Sequence, residues 1–132
     1  MADKIKTYRV TAAIIKNDNR IFIARRAANK HLAGYWEFPG GKIEDDETPE
    51  VCLKRELIEE LGITVNVGKF YMENQHDYGA KIILLQAYLC ELISGDIVLR
   101  DHDKFEWIVK SDLTNFKFAP ADIPFVNALY GE

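Results

Sequence analysis

Two cysteines, four prolines and eight glycines are all that 132 residues hold of the types that staple, break or loosen a chain. Cys52 and Cys90 form no C-x-x-C pair and have no further thiol beside them, which excludes a disulfide framework and a thiolate zinc site and leaves two buried free thiols as the expectation. So little proline and glycine, with 48% hydrophobic residues, excludes collagen-like and low-complexity chains. Apolar runs are short. None reaches the roughly 20 residues of a membrane span, and Met1 to Lys6 carry no apolar leader, so a cytoplasmic protein without a membrane partner is expected. Positive charge is not in excess either: 17 Lys and Arg stand against 21 Asp and Glu, a net charge of −4, which offers duplex nucleic acid no general attraction. A small anionic ligand needs a divalent cation with it, because carboxylates alone cannot hold phosphates.

What is present fits one domain, residues 1–132, long enough to bury about two-thirds of its unfolded surface. The β-branched run Thr7 to Lys16, the turn Asn17-Asp18-Asn19 and the run Ile21 to Ala24 read as a hairpin. A loop over 26–34 precedes a short aromatic strand, Tyr35 to Phe38, which Pro39-Gly40-Gly41 ends. Thr48-Pro49 opens a helix over 49–61, with Gly62 just past its end. Strands are expected over 63–72, 81–92 and 105–109, with the polar segment Glu73 to Gly79 between the first two. A helical turn near Ser111 and a last helix opened by Asp122-Ile123-Pro124 complete an α+β chain, a mixed sheet sandwiched between helices.

The 49–61 helix carries the chemical signal. At about 100° per residue, Leu53, Leu57 and Leu61 line one stripe, and Val51 and Ile58 are expected to widen it toward the core. Glu56, Glu59 and Glu60 crowd the other side. Like charges at these spacings cost about 0.2–0.5 kcal/mol per pair, and carboxylates in a last turn oppose the helix dipole. A solvated acidic face is the plain alternative. Oxygen ligands with no His or Cys among them suit a hard cation, Mg²⁺ or Mn²⁺, and the Gly40-Gly41 loop directly upstream allows close approach of a metal or phosphate.

Gly41, Glu47, Arg55-Glu56-Leu57-Ile58-Glu59-Glu60-Leu61-Gly62-Ile63 match the pattern G-x5-E-x7-R-E-U-x-E-E-x-G-U, with U apolar, at every specified position. With the fixed residues at roughly 7% usage each, a chance match at one start is on the order of 10⁻⁸. The chain resembles the Nudix hydrolases. It is similar over most of its length to the short MutT-like nucleoside triphosphate pyrophosphohydrolases, bacterial CTP pyrophosphohydrolases among them, through Arg25-Arg26-Ala27, the run Trp36 to Glu44 and Ala119-Pro120-Ala121-Asp122-Ile123-Pro124.

That resemblance implies an α/β/α sandwich and Mg²⁺-dependent release of nucleoside monophosphate and pyrophosphate. It implies the Gly40 carbonyl, Glu56, Glu59 and Glu60 as metal ligands, Arg55 as the group orienting the glutamates, and Gly41, Glu47 and Gly62 as structural residues. Glu56 and Asp101 are alternatives for the base, Asp101 otherwise being an ordinary loop acid. Arg26 resembles a phosphate-binding arginine. Tyr78 is a candidate for stacking on the nucleobase, a plain core or surface tyrosine being the alternative. Asp122 stands where MutT 8-oxoguanine hydrolases carry Asn. An ionised carboxylate there accepts from the amine of cytosine or adenine and repels guanine O6, a protonated one admits oxidised purines again, and plain helix capping is the third reading. Cytidine triphosphates are thus the first expectation and 8-oxo-dGTP the second. A non-catalytic lesion-recognition module and larger-substrate hydrolases fit less well, given the intact motif and the short chain.

Overall fold

The run Val10 to Ile15, polar only at Thr11, is apolar without alternation, as a strand covered on both faces should be. In the computed structural model, which describes residues 5–132, that run lies in β1, Lys6–Asn17, and Ala12, Ala13, Ile14 and Ile15 are all fully buried. β1 pairs in parallel with β5, Lys81–Ser94, from Lys6 opposite Lys81 to Lys16 opposite Glu91. β2, Arg20–Arg26, pairs antiparallel with the short β3, Trp36–Glu37, and with β6, His102–Val109. β4, Thr64–Asp77, pairs antiparallel with β5, and the main path of the mixed sheet runs β3-β2-β1-β5-β4.

Each face has its own core. Ala12 and Ile14 pack with Trp36, Phe38 and the helix α2, Ile123–Tyr130, through Phe125 and Leu129; Ala13 and Ile15 pack with Phe22, Ile63 and the leucines of α1, Pro49–Leu61. This is the expected α+β sandwich, with the mixed sheet between helices. Both cysteines are buried and free, as expected. No helix among the described residues is long and apolar enough to cross a membrane.

α1 begins and ends as its sequence predicts. The Thr48 hydroxyl accepts from Val51 N, Pro49 occupies the first turn, and Gly62 takes φ 68° at the end. Its flanks are a correction. Leu53, Leu57 and Leu61 are buried, but Val51 is 55% and Ile58 51% exposed. The sheet covers one leucine stripe, and the Gly40–Lys42 loop then covers the flank of Cys52 and Glu56, so the apolar flank is left bare and the polar one is roofed. Glu73 to Gly79 is a second correction: β4 continues to Asp77, paired with Ile82, because an edge strand satisfies its backbone while its polar side chains stay wet.

Leu57→Ala is expected to cost about 2–5 kcal/mol and Ile58→Ala no more than about 0.5, read from urea midpoints at constant slope. Equal losses would mean that both side chains face the core.

Candidate active site

The site exists because β1 and β2 part company. They pair only at Lys16–Ile21 and Asn17–Arg20, and the segment 39–43 enters the gap that opens beyond. Ala13 N donates to Pro39 O at 2.7 Å, Thr11 N to Gly41 O at 2.8 Å, and Ile43 N to Arg9 O at 2.9 Å. The fit leaves no room for side chains. A Cβ on Gly40 would lie 2.0 Å from Thr11 O, and one on Gly41 would lie 2.1 Å from the Glu56 carboxyl carbon. Gly40 is pinned by backbone and Gly41 makes way for Glu56.

Arg55 organises the acidic side. Its Nε and Nη2 donate to Glu47 Oε2 and Oε1 at 2.6 and 2.9 Å, and its Nη1 to Glu56 Oε1 at 3.0 Å and Glu59 Oε2 at 3.2 Å. Glu47, hydrogen-bonded by Arg55 first and by the Glu44 N–H second, is held down at about 2. Glu60 is pushed the other way, to about 9, by burial first and then by the charges of Glu56, Glu37 and Asp101. Burial also raises Glu56, against the pull of Arg55. Glu59 remains largely in solvent. Arg100 Nη1, on the loop before β6, donates to the Ile58 and Glu59 carbonyls at 3.1 and 2.7 Å, giving the helix end the cation its own last turn lacks.

A cation suits this donor set. The Gly40 backbone and Glu60 line one cavity of about 230 Å³, Glu56 packs against Gly41 beside it, and every available donor is oxygen. Among the described residues no three His, Cys, Asp or Glu side chains are already gathered as a ligand cluster; Glu56 and Glu59 are engaged by Arg55 instead. Asp101 lies beside the site: its carboxylate meets Lys30 Nζ at 3.3 Å, and with Glu60 and Arg26 it lines a cavity of about 110 Å³.

A third cavity, about 140 Å³, is lined by Tyr78, Asp122, Ala121 and His31. Tyr78 sits in the β4–β5 turn. Its hydroxyl accepts from Ala121 N at 3.1 Å, and His76 and His31 meet its ring edge-on, with centroids 4.4 and 5.9 Å away. Asp122 is buried, and its Oδ2 accepts from Phe38 N at 3.0 Å. One reading changes here. Asp122 makes no side-chain bond to its own helix, so it is not a helix cap. Burial first, and the Glu37 charge second, push it well above the usual carboxylate range, the direction of the protonated alternative that the sequence left open.

Arg26 and Glu37 line all three cavities. Arg26 Nη1 donates to Glu37 Oε1 at 2.9 Å, and Glu37 Oε2 meets His102 Nε2 at 2.8 Å. Sequence reasoning missed Glu37, His102, Lys30 and Arg100. For Glu37 a signal existed: it is the one charge in an aromatic strand, and alternation turns it away from Trp36 and Phe38, which are core as expected. A larger cavity of about 340 Å³, lined by Lys16, Arg20 and Lys110 among others, shares no residue with these three, so size does not choose the site.

The family model described as NUDIX domain matches residues 10–128. The chain is 39% identical over 124 residues to a CTP pyrophosphohydrolase of Escherichia coli K12, covering 94% of this chain and 92% of that one. It is 37% identical over 126 residues to an 8-oxo-dGTP diphosphatase of the same organism, covering 95% and 98%. Among solved structures, the E. coli ORF135 protein superposes with a TM-score of 0.82 at 37% identity, covering 96% of this chain and 91% of that one.

The Glu60 shift predicts a pH-dependent stability. The folded chain prefers Glu60 protonated up to about 9, whereas the unfolded chain ionises it near 4.5, so this group costs stability increasingly as pH rises between those values. Glu60→Gln is expected to raise Tm at pH 8 without metal, the gain shrinking toward pH 4.5. Mg²⁺ or Mn²⁺ should raise the wild-type Tm and leave the variant nearly unmoved. A gain independent of pH would remove the burial argument.

Proposed function

The chain belongs to the NUDIX domain family, and from that premise we propose that it is a divalent-metal-dependent nucleoside triphosphate pyrophosphohydrolase that favours cytidine nucleotides. One observation carries this reading: a carboxylate-rich end with Glu60 and Gly40 and a base-sized end with Tyr78 and Asp122 are joined through the Arg26–Glu37 pair. Base, phosphates and metal ligands thereby follow one another as they do along a nucleotide.

The Gly40 carbonyl, Glu56, Glu59 and Glu60 would hold Mg²⁺, with Mn²⁺ as a substitute. Held there, the cation would supply charge neutralisation for the triphosphate and a more acidic water, the attack falling on the β-phosphorus. Arg55 orients Glu56 and Glu59. Glu56 or Asp101 takes the proton from the attacking water, and Arg26 binds phosphate oxygens. The products are the nucleoside monophosphate and pyrophosphate, so water is consumed and one phosphoanhydride bond breaks.

At the base end Asp122, once protonated, would offer one donor and one acceptor, which match the N3 and N4 amine of cytosine as a pair. The same two functions also match O6 and the adjacent N–H of an 8-oxoguanine, and that favours 8-oxo-dGTP as the second reading. The names of the two E. coli relatives fall on these two substrates.

With Mg²⁺, a panel of CTP, dCTP, 5-substituted dCTP, dGTP and 8-oxo-dGTP is expected to give monophosphate and pyrophosphate, with the highest kcat/KM on a cytidine nucleotide. Glu60→Gln should lower kcat by about 10³-fold or more. Release of inorganic phosphate and a diphosphate, or no turnover of any member, would overturn the reading.

Asp122→Asn keeps a donor and an acceptor, so its cytosine-to-guanine ratio should stay within about threefold of wild type, while Asp122→Ala loses about 10- to 150-fold on the preferred base. A large change in the Asn variant would mean that the wild-type carboxylate is ionised.

A further inference from the structure

His102 opens β6, and the sequence offers it no metal-ligand spacing. The β2–β6 ladder shifts register there: Arg25 pairs with Lys104 but Arg26 with His102, leaving Asp103 as the extra residue of a bulge. The bulge divides two adjacent side chains. Asp103 goes outward to Arg25 Nε at 2.8 Å, and His102 goes inward, its side chain 2% exposed. Inside, the imidazole makes one side-chain bond, Nε2 to Glu37 Oε2 at 2.8 Å, and its Nδ1 is buried with no partner. The ring proton therefore sits on Nε2, facing the carboxylate. A residue kept only to fill space has no use for an orphaned nitrogen, which an aliphatic side chain would avoid.

The bond has a consequence for the cleft. Glu37 gives one oxygen to His102 and the other to Arg26 Nη1 at 2.9 Å, while Arg26 Nε is fixed on the His31 carbonyl at 2.5 Å. Nη2 is the guanidinium nitrogen these bonds leave over. With both oxygens tied, the Glu37 carboxylate cannot swing, and neither can the arginine.

We propose that His102 is a positioning residue for nucleotide binding: it fixes Glu37 so that Glu37 in turn aims Arg26 at a substrate phosphate. The inference rests on the function proposed above. It adds a buried residue that lines the small cavity beside Glu60 and Asp101 and acts on the substrate through Glu37 and Arg26.

The test uses the triphosphate turned over best in the panel, and its monophosphate product bound without metal. His102→Leu fills the space without a donor; His102→Asn keeps a donor too short to reach; His102→Gln places an amide N–H near the Nε2 position. Leu and Asn are expected to raise KM and the monophosphate Kd together, by about five- to thirtyfold, with kcat within about threefold. Gln should restore both to within about threefold of wild type. His102→Leu gives up the Glu37 bond together with the unpaired nitrogen, so its Tm should stay close to that of wild type. In a Glu37→Ala background, His102→Asn should add less than about twofold to KM.

A fall in Tm with KM unchanged, the same loss in Gln as in Leu, or an undiminished effect in the Glu37→Ala background would each overturn the positioning role. Wild-type protein that turns over no triphosphate would instead overturn the function on which it rests.

Discussion

The two-pronged pair between Arg55 and Glu47 is the constraint on which the acidic side of the molecule depends. Glu47 lies just outside the helix entrance, and Arg55 two turns inside, so their bonds of 2.6 and 2.9 Å clamp the incoming loop onto the helix it feeds. The clamp is charged on both sides at ordinary pH, because Arg55 is raised and Glu47 is held near 2 by the same hydrogen bonds. Its rigid fork leaves Nη1 over for Glu56 and Glu59. A lysine has no second prong with which to hold the loop and the glutamates together.

Against that clamp stands a helix end that disfavours itself. Glu56 and Glu60 are both pushed up by burial, and Glu60 by the charge of Glu56 as well. The chain spreads the cost rather than removing it: Arg55 takes Glu56 and Glu59, Arg100 takes the free carbonyls, and the proton stays on Glu60. A cation held by these carboxylates would take the place of that proton and relieve the repulsion, so residues that weaken the fold would serve the proposed site.

Local signals made the helix legible in the sequence. Thr48, Pro49 and Gly62 bracket α1 to the residue, and the glycine-to-glutamate spacing marks where backbone must approach backbone. Non-local facts were not legible. Val51 and Ile58 look core-facing until the loop is known to roof the opposite flank, and the polar end of β4 looks like a loop until it is known to be an edge strand. His102 has no sequence signal at all, because a single bulge decides whether it or Asp103 points inward. The upward push on Asp122 follows from burial and from Glu37, 85 positions away, and no spacing rule encodes that.

The two ends of the cleft are built differently, and this bears on how such a fold divides its labour. The acidic end is made by backbone: a loop zipped to β1, glycines without room for a Cβ, and successive turns of one helix. A side chain at Gly40 would displace the main chain. The base end is made by side chains from separate segments, with Tyr78 from the β4–β5 turn, Asp122 from the start of α2 and His31 from the loop after β2. They meet through side-chain contacts, His31 edge-on to the Tyr78 ring and the Tyr78 hydroxyl on Ala121 N beside Asp122. Arg26 and Glu37 stand between, lining all three cavities. On the proposed function, a substitution at Asp122 would alter base choice while the acidic end stays as it is.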